Sequence, residues 1–483
     1  MLLRRVASPE KEARAGGSSV PAVLIHQNAD SPTGPAENRG ALAAVFFLVV
    51  LGSSLSAGFY SLPAFLILAV ALAALLWVHL APGRVSLPLR PLLTAGVIAM
   101  TAASAWLFFR MVHHQAGPLV AWTRGLLIAA ATLSLLYLAP RAEGRSGWRW
   151  IVRSRFPLLF AIAGLARLLL LLDTHDPGAS WPRWYASGLS DVYIQMNRAP
   201  DFLIRGQDPY AVDFLPRGPG QPGLNSYTYL PGALLMSAPF RWAFGDVRIG
   251  YLILGLLAAL LLMRVAPRPD SRSVTPELLA LCLLYHPRAL YILDQAWNEQ
   301  FLVPLLVVLA WLLRTRGGLS AQALALAGVF SLKLYLLLLA PLLWRFRRLS
   351  RPALLAGLAL AGLVTLPFVL WNPAAFWEDA VGLHLRNVFA SNGLTLWSFL
   401  SSTFGVTAPG PVILGVSLLL PAFLVWRGPR GGEDFWPAVA AFYFAFFFLN
   451  KYAFINYYYL VGACLLIALA ARSGEKPELA ADD

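Results

Sequence analysis

Apolar runs about 20 residues long recur along this chain from Ala41 to Ala471, separated by short loops, and no other feature constrains its folding as strongly. A helical run of that length matches the roughly 30 Å hydrocarbon core of a bilayer. Inside lipid the backbone must satisfy its own hydrogen bonds, which an α-helix does. Membrane helices are expected at about 41–59, 61–82, 88–109, 118–139, 156–172, 247–265, 276–293, 299–314, 318–331, 334–345, 352–371, 410–426, 435–449 and 457–471. The expected fold is therefore all-α, a polytopic integral membrane protein with about 13–14 transmembrane helices.

Composition agrees where it bears on that reading. Charged residues make up 13% of the 483, against roughly 25% in soluble chains, and the mean hydropathy is +0.64. A net charge of +14 would suggest a nucleic-acid partner in a soluble protein. Here Lys and Arg gather in short loops, which reads as topology, and no nucleic acid is expected. Cys282 and Cys464 fall within apolar segments, so neither a disulfide nor a sulfur-based metal site is expected.

Charge then orders the chain across the membrane. Residues 1–40 read as a disordered cytoplasmic tail without a signal peptide, and 472–483 as a second cytoplasmic tail. Residues 41–155 carry a first set of transmembrane helices. The segment PRAEGRSGWRWIVRSRF holds five Arg and belongs inside, so the fifth helix delivers a large loop, residues 173–246, to the outer face. Its end, Tyr229 to Phe244, is apolar but broken by Pro231 and Pro239, as in a re-entrant or interfacial helix. Arg314 and Arg316 before residues 318–345, and Arg345, Arg347, Arg348 and Arg351 after them, ask for a hairpin turning outside at Lys333. Both termini come out inside, with no internal repeat.

The outer connections hold eleven of the 24 carboxylates, so acid chemistry would face out. Asp191 follows Ser190 at the start of an amphipathic interfacial helix capped by that serine. A carboxylate beside low-dielectric lipid can act as a general base on a hydroxyl; the plainer reading is a solvated loop acid or a second cap. Arg198 and Arg205 could bind phosphate or sugar, although pairing with Asp201 and Asp208 is the commoner fate of such residues. Charges within helices are more telling, because lipid disfavours them. His286 and Arg288 flank Pro287, Glu299 opens a helix after Asp294, Gln295 and Asn298, and Lys333 sits at the hairpin turn, together suggesting an outward-facing polar cavity. Later outer segments add His384 among tryptophans and Lys451 among tyrosines, where an interfacial aromatic belt is the plainer alternative. There is no Walker loop, HExxH or Cys/His metal pattern, and no metal or cofactor is expected.

Asp191-Val192-Tyr193, then Gly206-Gln207-Asp208-Pro209-Tyr210, then Tyr227-Thr228-Tyr229-Leu230-Pro231 follow one another in the first large outer loop. Asp294-Gln295-Ala296-Trp297-Asn298-Glu299 and Ser331-Leu332-Lys333-Leu334-Tyr335, followed by Pro341, come further on. Over residues 156–471 this order resembles GT-C fold glycosyltransferases, in particular the bacterial polyprenol-phosphate-mannose-dependent alpha-mannosyltransferases. The chain departs from them at Asp294, where Gly is usual, at Leu336, where Pro is common, and in its four additional N-terminal helices. The resemblance implies a GT-C type catalytic domain over 156–471 with a large first catalytic extracytoplasmic loop. It implies an inverting transfer of a sugar, mannose for these relatives, from a polyprenyl-phosphate donor to a lipid or glycan hydroxyl at the outer face of the plasma membrane. Asp191 matches the catalytic acid; Lys333, Arg288 and His286 would face the leaving phosphate, with Arg205 behind them. Tyr193, Arg198, Gln295, Asn298, Glu299, His384 and Lys451 complete the expected substrate contacts.

The main rival is a flippase or transporter of a lipid-linked or charged substrate, which also needs buried charges. A lipid-linked sugar polymerase or ligase is a second.

Overall fold

A computed structural model describes residues 38–81, 87–111, 118–139, 146–174, 190–214, 226–266, 275–346, 349–386, 391–429, 431 and 434–472. The tails at 1–37 and 473–483, His113, His114, Asp176 and Asn387 lie outside the described residues. All described elements are helical, with no strand. The first five are α1 (Arg39–Leu55), α2 (Leu62–Leu80), α3 (Leu89–Met111), α4 (Pro118–Ser134) and α5 (Ser146–Thr174). In the first loop come α6 (Asp191–Ile204) and α7 (Pro231–Phe244), followed by α8 (Val247–Val265), α9 (Thr275–Leu284), α10 (Ala289–Asp294), α11 (Glu299–Thr315) and α12 (Leu319–Phe330). The last third holds α13 (Leu339–Phe346), α14 (Arg351–Trp371), α15 (Pro373–Trp377), a π turn Glu378–Gly382, α16 (Leu383–Arg386), α17 (Leu396–Phe404), α18 (Gly410–Arg427), α19 (Phe435–Leu449) and α20 (Ile455–Ala471).

Among the described residues, seven helices are long and apolar enough to cross a membrane: α2, α3, most of α4 with its 3-10 extension, α5, α8, α14 and α18. They keep large apolar side chains on the outside, such as Leu370 and Leu419, exposed at 70% and 73%. That is the expected surface for a protein whose solvent is hydrocarbon. The shorter apolar helices α9, α19 and α20 lie deeper. Every residue of α19 is buried, and its 15 residues span about 22 Å, less than the bilayer core. Protein rather than lipid surrounds it, so the bilayer does not set its length. The chain is an all-α polytopic membrane protein.

α1 packs on the last helix, α20, and on α2 and α3, so the N-terminal helices belong to the same body as the rest. α12 packs on α14, and α11 on α8. The helices alternate in direction, which collects the end of α1, the starts of α2, α6, α8, α11, α18 and α20, and the ends of α5, α12, α14 and α19 at one end of the bundle. Arginines gather at the other. Arg345 donates to the carbonyl of Val425, Arg472 pairs with Asp434 at 2.8 Å, Arg39 donates to the Arg472 carbonyl, and Arg314 to that of Val265.

Three boundaries differ from expectation for physical reasons. The fifth helix begins at Ser146 instead of 156, because its arginines ride on a helix rather than a loop. Arg155 covers Tyr137, 4.1 Å from the ring centroid, and donates to the Leu136 carbonyl. The run at 276–293 is split into α9 and α10, since Pro287 has no N–H to continue the ladder. Arg167 donates to the freed carbonyl of Leu284, and Ser104 to that of Tyr285, so the break is closed by side chains. The hairpin at Lys333 is present as α12, an extended Lys333, a 3-10 turn Leu334–Leu338, and α13.

Candidate functional site

α6 starts where the sequence asks for it: Ser190 Oγ accepts from the Tyr193 N–H at 3.3 Å, leaving Asp191 as the first helical residue. Helical spacing then divides the helix into two faces. Tyr193 and Asn197, four apart, look toward α8. The Tyr193 hydroxyl donates to Asp246 at 3.2 Å, and Asn197 Oδ1 accepts from the Val247 N–H at 2.8 Å. Asp191 and Gln195, also four apart, line a cavity of about 940 Å³.

The anchor behind this helix is a fully buried arginine. Arg248 bonds Asp246 at 2.7 Å and Asp294 at 3.0 Å, reaches Thr174 at the end of α5, and lies 4.4 Å from the centre of the Tyr193 ring. Four helices thus meet on one guanidinium, whose planar fork suits two carboxylates at once. Ser190 Oγ also donates to the Gln295 carbonyl at 2.7 Å, which fixes Asp191 next to the segment between α10 and α11.

The cavity is polar at its upper end. Lys333 pairs with the buried Glu299 at 2.6 Å and sits among three tyrosine rings, Tyr229, Tyr335 and Tyr457, at 5.5, 5.7 and 5.6 Å from their centroids. The Tyr335 hydroxyl donates to the same Glu299 oxygen. Lys451 donates to the backbone carbonyls of His384 and Leu385. His384 has both ring nitrogens engaged: the Thr228 carbonyl can only accept, so Nε2 carries the proton, and Nδ1 faces the Tyr452 hydroxyl at 3.0 Å. Below this lies an apolar extension lined by Leu334, Leu338, Leu414, Leu418, Phe446 and Phe447. Pro411, Leu414 and Leu418 are spaced along one face of α18, so the cavity runs about 10 Å down that helix.

Enclosure sets the acid–base character of the groups in the connecting segments. Asp191 is exposed to the cavity, and desolvation by the surrounding protein pushes its carboxyl up; N–H groups of the helix start offset part of the shift. Burial lowers His384 and Lys451, and both lysines near His384 lower it further. Asp379, on the π turn outside the cavity, is pushed up to about 6 by burial, although the Tyr227 N–H donates to it at 2.7 Å.

Of the residues singled out by sequence, Asp191, Gln295, Lys333, His384 and Lys451 line the cavity, and Glu299 reaches it through Lys333. The others do not. Tyr193 is turned to Asp246. Asn298 accepts from the Tyr251 hydroxyl at 2.8 Å. Arg198 is bound to the Phe214 carbonyl, and Arg205 is exposed on the last turn side of α6. Arg288 gives its Nε and Nη2 to the Ser54 carbonyl at 3.2 and 2.9 Å, neutralising the end of α1, where carbonyls are left without helical partners. His286 packs edge-on against Tyr459 and accepts from the Arg288 N–H. Helix-borne charge was read as cavity charge, whereas these two residues serve a kink and a helix end. Sequence reasoning also passed over Arg248, although Asp246-Val-Arg248 at a helix start carried an intramembrane charge, and over Gln195, whose position four after Asp191 was the available signal.

Comparisons with known protein families, with curated proteins and with solved structures return no match to this chain.

Proposed function

We propose that this protein is a membrane glycosyltransferase that moves a sugar from a polyprenyl-phosphate donor to a hydroxyl acceptor, with Asp191 as general base. The observation that carries the reading is one cavity holding a partly desolvated carboxylate, two lysines and a deep apolar extension. Each part has a task. The apolar extension along α18 takes the first isoprene units, so the phosphate stops at the polar end. Lys333 and Lys451 place positive charge there as the bond between phosphate oxygen and anomeric carbon breaks and that oxygen keeps the electron pair. The acceptor hydroxyl gives its proton to Asp191 while its oxygen bonds the anomeric carbon from the opposite face, inverting it. Arg288 and His286 have no part in this scheme, because they lie elsewhere.

The reading puts the cavity on the extracytoplasmic side of the plasma membrane and both chain ends in the cytoplasm. The cluster Arg39, Arg345, Arg427 and Arg472 at the far end supports that orientation by the positive-inside rule.

The test is transfer of radiolabelled mannose from polyprenyl phosphate mannose to envelope glycolipids by protein in liposomes, wild type against Asp191→Asn. Loss of a base is expected to lower the rate about 10²–10⁴-fold in a still-folded variant. Equal rates would remove Asp191 from the mechanism. No transfer from any polyprenyl-phosphate sugar, with movement of the lipid between leaflets instead, would replace the enzyme by a flippase.

A further inference from the structure

The cavity has a wall that the scheme above leaves unused. Tyr291 and Trp297 meet edge to face at 5.3 Å between centroids, and Phe59 and Phe454 at 5.9 Å. All four line the cavity. Trp297 stands two residues from Gln295, whose carbonyl holds Ser190, so the wall is tied to the carboxylate side.

The backbone is strained where it presents this wall. Among the described residues three non-glycines have positive φ, and two of them flank it: Ala296 (53°), just before Trp297, and Ala57 (55°), two before Phe59. Gly58 follows at 84°, and a Cβ there would lie 2.5 Å from the Ile455 nitrogen, so the turn between α1 and α2 is pressed onto the start of α20. A tight left-handed turn is a costly way to expose a phenylalanine unless its position is used.

Asn456 supplies the polar half. It lines the cavity two residues after Phe454, is only 7% exposed, and its side-chain oxygen has no hydrogen-bond partner. A buried amide oxygen without a partner is unfavourable, and half a turn of the amide can offer either an acceptor or a donor to a hydroxyl.

We propose that this wall is the acceptor subsite and that the acceptor presents a pyranose ring, as a glycan or glycolipid. Sugar rings have an apolar face for aromatic rings and a hydroxyl rim for an amide, and Asp191 stands beside the wall to receive a proton. The assignment rests on the glycosyl-transfer reading for the acceptor role, but not for sugar binding itself. It gives the turn of α1 and α2 a role in selecting the acceptor.

Two measurements separate the two claims. Binding of hexyl α-mannoside to protein in nanodiscs is measured by calorimetry, with empty discs subtracted and hexanol as the ring-free control. Wild type is expected to bind the mannoside and not hexanol; Trp297→Ala and Phe59→Ala should each weaken binding about tenfold, and Trp297→Phe should restore most of it. Hexanol binding equally well, or the alanine variants binding the mannoside as wild type does, would overturn the sugar subsite whether or not the protein transfers sugar. In the transfer assay the same alanine variants should raise the acceptor KM about tenfold with the donor KM unchanged. A raised donor KM with unchanged acceptor KM would assign the wall to the donor. Absence of transfer in wild type with intact mannoside binding would reject the enzyme and keep the sugar site.

Discussion

The pair of Lys333 and Glu299 gives the sharpest energetic test. The two groups meet at 2.6 Å, with Glu299 fully buried and Lys333 10% exposed to the cavity. Taking one partner from a buried pair typically costs about 3–5 kcal/mol, mostly because a charge is left alone. In Lys333→Met the Glu299 carboxylate would keep the Tyr335 hydroxyl at 3.2 Å, and the nearby cavity water softens the penalty to about 3 kcal/mol. In Glu299→Gln the ammonium would remain among three tyrosine faces, each worth about 0.5–1 kcal/mol at a wet site, so that variant should lose about 1–2 kcal/mol. The double variant carries no unpaired charge and should lose only about 1 kcal/mol, less than Lys333→Met alone. The expected coupling is therefore about 3 kcal/mol, read from SDS-titrated unfolding of the four proteins in mixed micelles. Additive losses, or a double variant weaker than Lys333→Met, would refute the view that the lysine is held by this carboxylate.

Three further outcomes follow from named contacts. Asp379 holds its proton up to about pH 6 in the fold, against the ordinary 3.8; the folded state then binds more protons between those values, so stability present at acid pH is lost as pH rises through 6. Unfolding at pH 5 and 7.5 should show wild type losing about 1 kcal/mol relative to Asp379→Asn, and parallel losses in the two proteins would contradict it. The transfer rate should rise with pH along a one-proton limb whose midpoint lies above the ordinary carboxylate value, because burial raises Asp191; a flat acid limb would remove it as the titrating base. Arg248→Leu leaves Asp246 and Asp294 buried without their cation and should cost more than about 4 kcal/mol, seen as loss of the monodisperse peak in size-exclusion chromatography, with Arg248→Lys rescuing little because one ammonium cannot fork to both acids.

Much of the architecture could be read from the chain because the bilayer imposes a single length and a single polarity on whatever crosses it. The break at Lys333 followed from arginines at both ends of one apolar run, and the capped start of α6 from Ser190 before Asp191. The site was legible in its outline for the same reason: carboxylates and cations that survive near lipid have work to do. What stayed hidden was direction. Arg288 and Lys333 look alike in sequence, as basic residues beside helix breaks, yet one bonds the end of α1 and the other enters the cavity. Only the placement of the end of α1 beside Arg288 decides that, and this contact joins residues 234 positions apart, beyond the reach of any local pattern.

That long-range packing also explains why the cavity can exist. A helix facing lipid must span the bilayer, but α19 and α20 are sheltered and can stop short. Phe447 at the end of α19 and Tyr457 at the start of α20 meet Tyr335 from the 3-10 turn after α12, with the Tyr335 ring 5.2 Å from Phe447 and 6.0 Å from Tyr457. The aromatic setting of Lys333 is therefore built in part where these short helices end. Lengthening one of them, for example by inserting a full turn of four leucines after Leu449 in α19, would push aromatic bulk into this space. The insertion keeps the helix apolar and preserves its face to within about 40°, so assembly should survive while mannoside binding and transfer are lost together. Retained binding in a folded insertion variant would show that the end of α19 does not shape the cavity.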